Sequence, residues 1–79
     1  MNEPTRRNDI KNSTTRFWTK AELKETKKQA KEGGFEVSKV GFSGTVTIIN
    51  PENNDLVLKA MEGPGGMMMV RFDQSYFEA

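Results

Sequence analysis

The stretch Trp18 to Gly34, WTKAELKETKKQAKEGG, carries both the start and the stop signal of one helix. Thr19 is a good N-cap, because its hydroxyl can accept from a free amide of the first turn. Glu22, three residues on, completes a T-x-x-E capping box, while Trp18 and Leu23 stand where a hydrophobic staple would place them. Gly33-Gly34 offers a residue that tolerates positive φ, and Lys31 lies in the last turn, where a cation suits the helix dipole. Whatever else the chain does, it must fold around this helix.

Wound at about 100° per residue, the segment has only a narrow apolar stripe, made by Leu23, Thr26 and Ala30. Lys20, Lys24, Lys27, Lys28 and Lys31 gather on one continuous face beside it, and Glu22, Glu25, Gln29 and Glu32 take the other side. The gathered lysines read as a docking surface for phosphates or for an acidic protein. The more ordinary reading is a solvated face whose stems cover apolar neighbours and pair locally with Glu22 and Glu25.

After Gly34 the hydrophobic period changes from helical to alternating, which predicts strands. A first short strand is expected over about residues 35–41, with a bulge or break near Ser38-Lys39 where Val37 and Val40 change parity. Ser43-Gly44 reads as a tight turn into a second strand, Thr45 to Ile49. Asn50-Pro51-Glu52-Asn53-Asn54-Asp55 is a turn with asparagines able to take left-handed geometry. Leu56 to Met61 follows, with Leu56, Leu58 and Ala60 predicted inward and Val57, Lys59 and Met61 outward. Gly63-Pro64-Gly65-Gly66 is a hairpin turn, and Met67 to Asp73 the last strand. The tail is expected to tuck Tyr76 or Phe77 against the core.

The expected fold is therefore α+β in two layers: one N-terminal α-helix packed on a small antiparallel β-meander of three or four strands, about the least that folds alone. Residues 1–15 are polar, contain Pro4 and have Ile10 as their one large aliphatic side chain, so they read as a disordered basic arm ahead of a single domain over 16–79. Phe17 and Trp18 read as core contacts, since a domain of 79 residues has little apolar area to spare.

Composition narrows function mainly by what it lacks. With neither His nor Cys, Ser-His and Cys-His pairs are excluded. The carboxylates are scattered, and Glu52, Asn53, Asn54 and Asp55 do not match a calcium loop. Gly63-Pro64-Gly65-Gly66 lacks the Lys-Ser/Thr sequel and the helix of a phosphate-cradling loop. The reading is a non-enzyme with no cofactor and no metal. No run is apolar enough to span a bilayer and no signal peptide opens the chain, so a cytoplasmic protein without a membrane partner is expected.

Net charge is only +1 yet unevenly spread: residues 16–34 carry +3 (Arg16 and five lysines against Glu22, Glu25 and Glu32), whereas residues 35–62 carry −2. Met67, Met68 and Met69 cannot all face one core, because neighbours on a strand alternate. If Met68 is inward, Met67 and Met69 lie outward beside Val57 and Met61, an adaptable apolar surface that needs a partner. The candidate partner-binding residues are thus Arg16, Lys20, Lys24, Lys27, Lys28, Lys31, Met61, Met67 and Met69. The favoured function is a protein-binding regulator or inhibitor using the lysine-rich helix face and the methionine-rich sheet face. In type, though by no motif, it resembles the small accessory proteins of phages and mobile elements. The alternative is sequence-independent binding of DNA or RNA by the basic arm and helix. It has against it the near-zero net charge and the lack of an aromatic platform on a basic strand. A second copy of the chain is a further candidate to cover the sheet face.

Overall fold

A computed structural model of the chain describes residues 10–40 and 44–77. Its elements run β1 (Ser13–Trp18), α1 (Lys20–Glu32), β2 (Glu36–Val40), β3 (Thr45–Asn50), β4 (Asp55–Glu62), a 3₁₀ turn (Pro64–Gly66), β5 (Met68–Asp73) and α2 (Gln74–Phe77). All five strands form one antiparallel sheet in the order β1-β5-β4-β3-β2. The chain therefore starts on one edge, crosses through α1 to the other edge, and returns by a meander.

This corrects the expected fold. A strand precedes the helix, the sheet has five strands and not three or four, and a second short helix closes the chain, so the protein is mostly sheet. The cause lies in STTRFW. Its β-branched and aromatic residues suit a pleated surface, and pairing Ser13 through Trp18 with Asp73 through Met68 satisfies the backbone that β5 would otherwise leave as an open edge. Ser13, Thr14 and Thr15, placed by composition in the arm, belong to this strand, and Ile10 is buried. The part of the predicted arm over residues 1–9 lies outside the described residues.

The helix forms as its sequence dictates. The Thr19 hydroxyl accepts from the Glu22 N–H at 3.1 Å, and the Glu22 carboxylate accepts from the Thr19 N–H at 2.8 Å, closing the capping box. At the other end the left-handed residue is Gly34 (φ 90°), with Phe35 N–H donating to the Ala30 carbonyl and Gly34 N–H to that of Lys31. Those two bonds are the Schellman arrangement, and the positive φ is why a glycine stands there.

Leu23 and Ala30 press α1 onto one face of the sheet, against Val46, Ile48, Leu58, Ala60, Met68, Val70 and Phe72. Trp18, Phe35, Val37 and Phe77 pack around this core. Phe77 thus seals it as expected of the tail, while Tyr76 stays exposed and accepts a hydrogen bond from Asn50 Nδ2 at 3.2 Å. Asp73 is buried, and its Oδ1 accepts from the Ser75 N–H at 2.8 Å, capping α2.

Two expected details are moved. β2 pairs with β3 without interruption from Glu36 to Val40, so no bulge falls at Ser38-Lys39. The irregularity is on β4: Ile48 pairs with Leu58 and Ile49 with Leu56, leaving Val57 as the extra residue of a bulge. Val57, predicted outward, is fully buried with the core, and Leu56 leaves that side to pair with Ile49. Ile49 is itself buried but outside the helix-side core. The Lys11 ammonium, next in sequence to the buried Ile10, lies 3.5 Å from Asp55. The Asn50–Asp55 turn is as predicted, with Asn54 left-handed (φ 61°) and the Asn50 and Asn53 side chains accepting from the Glu52 and Asp55 amides. Gly44 has positive φ before β3; Ser43 lies outside the described residues.

Candidate functional site

Sheet register decides which side chains meet. Trp18, Met68, Glu62 and, one row on, Arg16, Val70, Ala60 and Val46 share the helix side. The next residues along each strand point away from α1, onto a face that no helix covers among the described residues. There Phe17 pairs with Met69 and Met69 with Met61, giving an apolar row across β1, β5 and β4. Phe17 is 54% exposed, the most exposed large apolar side chain among the described residues. Its ring lies over Gly63: a Cβ built there would stand 3.4 Å from Phe17 Cε1 and 3.5 Å from Met69 Cβ. The ring edge therefore comes close to the Gly63 backbone beside the methionine, where a larger residue would press on it. Met67 just precedes β5 and falls on the same side by alternation.

The row behind is Thr15, Arg71, Lys59 and Thr47, each paired with the next. Arg71 and Lys59 face each other directly, both exposed. Like charges in that position destabilise an isolated sheet by roughly 0.2–1 kcal/mol. The open face thus presents an exposed ring and thioethers next to a pair of opposed cations.

The lysines of α1 are on the far side of the molecule. Lys20, Lys24 and Lys27 join Lys39 of β2 around a cleft of about 510 Å³ floored by Leu23 and Met68. Lys20 also lies 3.7 Å from Glu62, both largely exposed; such a pair contributes little. Lys28 and Lys31 do not line this cleft. Arg16, on the edge strand β1, donates from Nη1 to Thr14 Oγ1 (2.8 Å) and to the Thr15 carbonyl (3.1 Å). Of the residues predicted from sequence, the structure unites Met61, Met69 and Met67 on one face and Lys20, Lys24 and Lys27 on the opposite one. Arg16 shares the helix side of the sheet but does not line the lysine cleft.

Phe17, Arg71 and Lys59 escaped the sequence reading, and Phe17 is corrected from core to surface. Once Ser13–Trp18 is known to be a strand, the two adjacent aromatics must take opposite faces; without that strand the sequence carried no signal separating them. Among the described residues no group of three or more His, Cys, Asp or Glu side chains could hold a metal ion, and no helix is long and apolar enough to cross a membrane. No protein-family model, curated protein or solved structure matches the chain.

Proposed function

We propose that the chain is a non-enzymatic, cytoplasmic protein-binding module, a regulator or inhibitor that acts by covering a surface of its partner with the open face of its sheet. The observation that carries this is the Phe17–Met69–Met61 row, an exposed ring followed by two half-buried thioethers on a sheet face that no helix covers among the described residues. Aromatic residues, Met and Arg are the types enriched in the cores of protein interfaces, and thioethers repack around a partner's shape at small cost. The opposed Arg71 and Lys59 define the partner further: an apolar projection bordered by carboxylates would fill the first row and relieve the repulsion in the second. The lysine cleft lies on the other side of the sheet and has no part in this contact.

The same row favours one second reading. An exposed ring beside two cations on an antiparallel sheet can stack a base and hold its phosphate. One ring offers a platform for a single base, which is why the protein reading is preferred. A photo-crosslinking residue in place of Phe17, introduced in the chain's native host, separates the two. Crosslinking to one protein, abolished by Met69→Asp in a chain that still folds, supports the module; crosslinking to a second copy makes the partner the chain itself. Nucleic acid recovered in place of protein, with oligonucleotide affinity falling steeply as salt rises, refutes it.

A further inference from the structure

Along the other flank of α1 runs a groove of about 580 Å³, between the helix and the C-terminal turn. One wall is aromatic: Trp18, Phe35, Tyr76 and Phe77. The opposite wall is the acidic side of α1, with Glu22 and Glu25. Among the described residues no lysine or arginine lines it.

The rings are held by one another. Trp18 lies 5.3 Å from Phe72, Phe72 lies 6.3 Å from Phe77, Phe77 lies 6.3 Å from Tyr76, and Tyr76 meets Phe35 edge-on at 5.7 Å. The carboxylates are placed as well. Glu22 is anchored to the Thr19 N–H by the capping box, and Glu25 accepts from Gln29 Nε2 at 3.1 Å. The groove is therefore preformed: aromatic faces on one side, fixed negative charge on the other.

An apolar occupant would strip water from those carboxylates, whose Thr19 and Gln29 partners are neutral donors that leave the charge uncompensated, and an anion would be repelled. A cation gains from both walls, from the ring quadrupoles and from the carboxylates. Among biological cations a guanidinium fits best, since it is planar, weakly hydrated, stacks on rings and forks toward carboxylates. We infer that this groove binds an arginine side chain of a basic peptide segment. It is a second contact site, separate from the open sheet face, and it does not depend on that face having a partner.

Trp18 is the chain's single tryptophan and lines the groove, so its fluorescence reports occupancy directly. The full chain is titrated with the peptide acetyl-Gly-Arg-Arg-Gly-amide, with acetyl-Gly-Glu-Glu-Gly-amide as control. The titration is repeated on an Arg6→Ser/Arg7→Ser chain, so that the protein's own arginines cannot mask the site. The expected result is a saturable change with the arginine peptide alone. Glu22→Gln/Glu25→Gln keeps the capping box, which accepts glutamine as well as glutamate. It should weaken binding about tenfold, the size two exposed charge contacts allow, with an unchanged circular dichroism spectrum. Tyr76→Ala should weaken it too. The inference is overturned by no saturable change in either chain, by equal affinity of the glutamine variant, or by the same response to the glutamate peptide.

Discussion

Val57 tests the sheet most sharply, because alternation along β4 and the bulge give it opposite surroundings. By alternation it shares the outward face with Met61; with Ile48 paired to Leu58 and Ile49 to Leu56, it is the extra residue, and it is fully buried in the core. Val57→Thr keeps shape and strand propensity but adds a hydroxyl among Leu58, Ile48 and their neighbours, so strand preference does not confuse the comparison. Burying a hydroxyl without a partner costs about 1–3 kcal/mol. Val57→Ala removes two methyl groups, about 1.6 kcal/mol of transfer energy, and leaves a cavity that raises the loss to about 2 kcal/mol. The second variant matters because the bulge could offer the new hydroxyl a backbone acceptor, and alanine offers none. For a domain of this size 2 kcal/mol lowers Tm by roughly 8–16 °C. Urea unfolding followed by Trp18 fluorescence measures both variants, with an unchanged m-value showing that the same surface is exposed. If Val57→Thr and Val57→Ala both stay within about 0.5 kcal/mol of the parent, the ordinary range for surface changes, the bulge and the burial drawn from it are refuted.

Thr19→Ala should lose about 1 kcal/mol by removing the acceptor of the Glu22 amide, measured in the same urea assay. Phe17→Ala should cost under about 1 kcal/mol because the ring is half in water, whereas Trp18→Ala, which removes the ring packed on Phe72, should cost about 2–4 kcal/mol; unfolding followed by circular dichroism ranks the two. Lys59→Glu places an acid opposite Arg71 and should stabilise the domain by roughly 0.2–1 kcal/mol while weakening capture of an acidic partner, a gain that shrinks as salt is added.

The legible parts of this fold are those whose signals are local. Thr19, Glu22, Gly33 and Gly34 specify a helix within one stretch of chain, and the asparagine-rich turn before β4 declares itself through residues that bond their own neighbours. The meander strands are visible for a similar reason: most of their length alternates, and glycine- or asparagine-rich sequences separate them. β1 was hidden because its partner is β5, near the other end of the chain, and because four of the six residues of STTRFW are polar. A strand at a sheet edge has one pairing side and little to bury, so its sequence need not look like that of a strand. The Val57 bulge was hidden by a different cause: Leu56, Val57 and Leu58 are all apolar, so the pattern there does not specify register. From that single ambiguity two misplaced residues follow. The lysine face was legible as a helix property, but its separation from the methionines depends on which side of the sheet α1 covers, a tertiary fact.

Phe17 and Trp18 show how closely the two binding surfaces approach. They are neighbours in sequence on an edge strand, one ring on the open face and the other in the groove beside α1. A partner lying flat on the open face touches only the first. A partner that wraps the outer edge of β1, which no strand pairs among the described residues, would reach both, laying an apolar projection over Phe17 and Met69 while an arginine enters beside Trp18 and Tyr76. The two arrangements differ energetically. With separate ligands, Met69→Asp and Tyr76→Ala act on different events, and each leaves the other's affinity within about 0.5 kcal/mol of its original value. With one wrapped partner both substitutions weaken the same complex, and losing either contact exposes the other to water, so each single variant forfeits much of what the double variant does. Edge strands that remain unpaired invite an added strand, and β1 lies where such a strand would bridge the two surfaces.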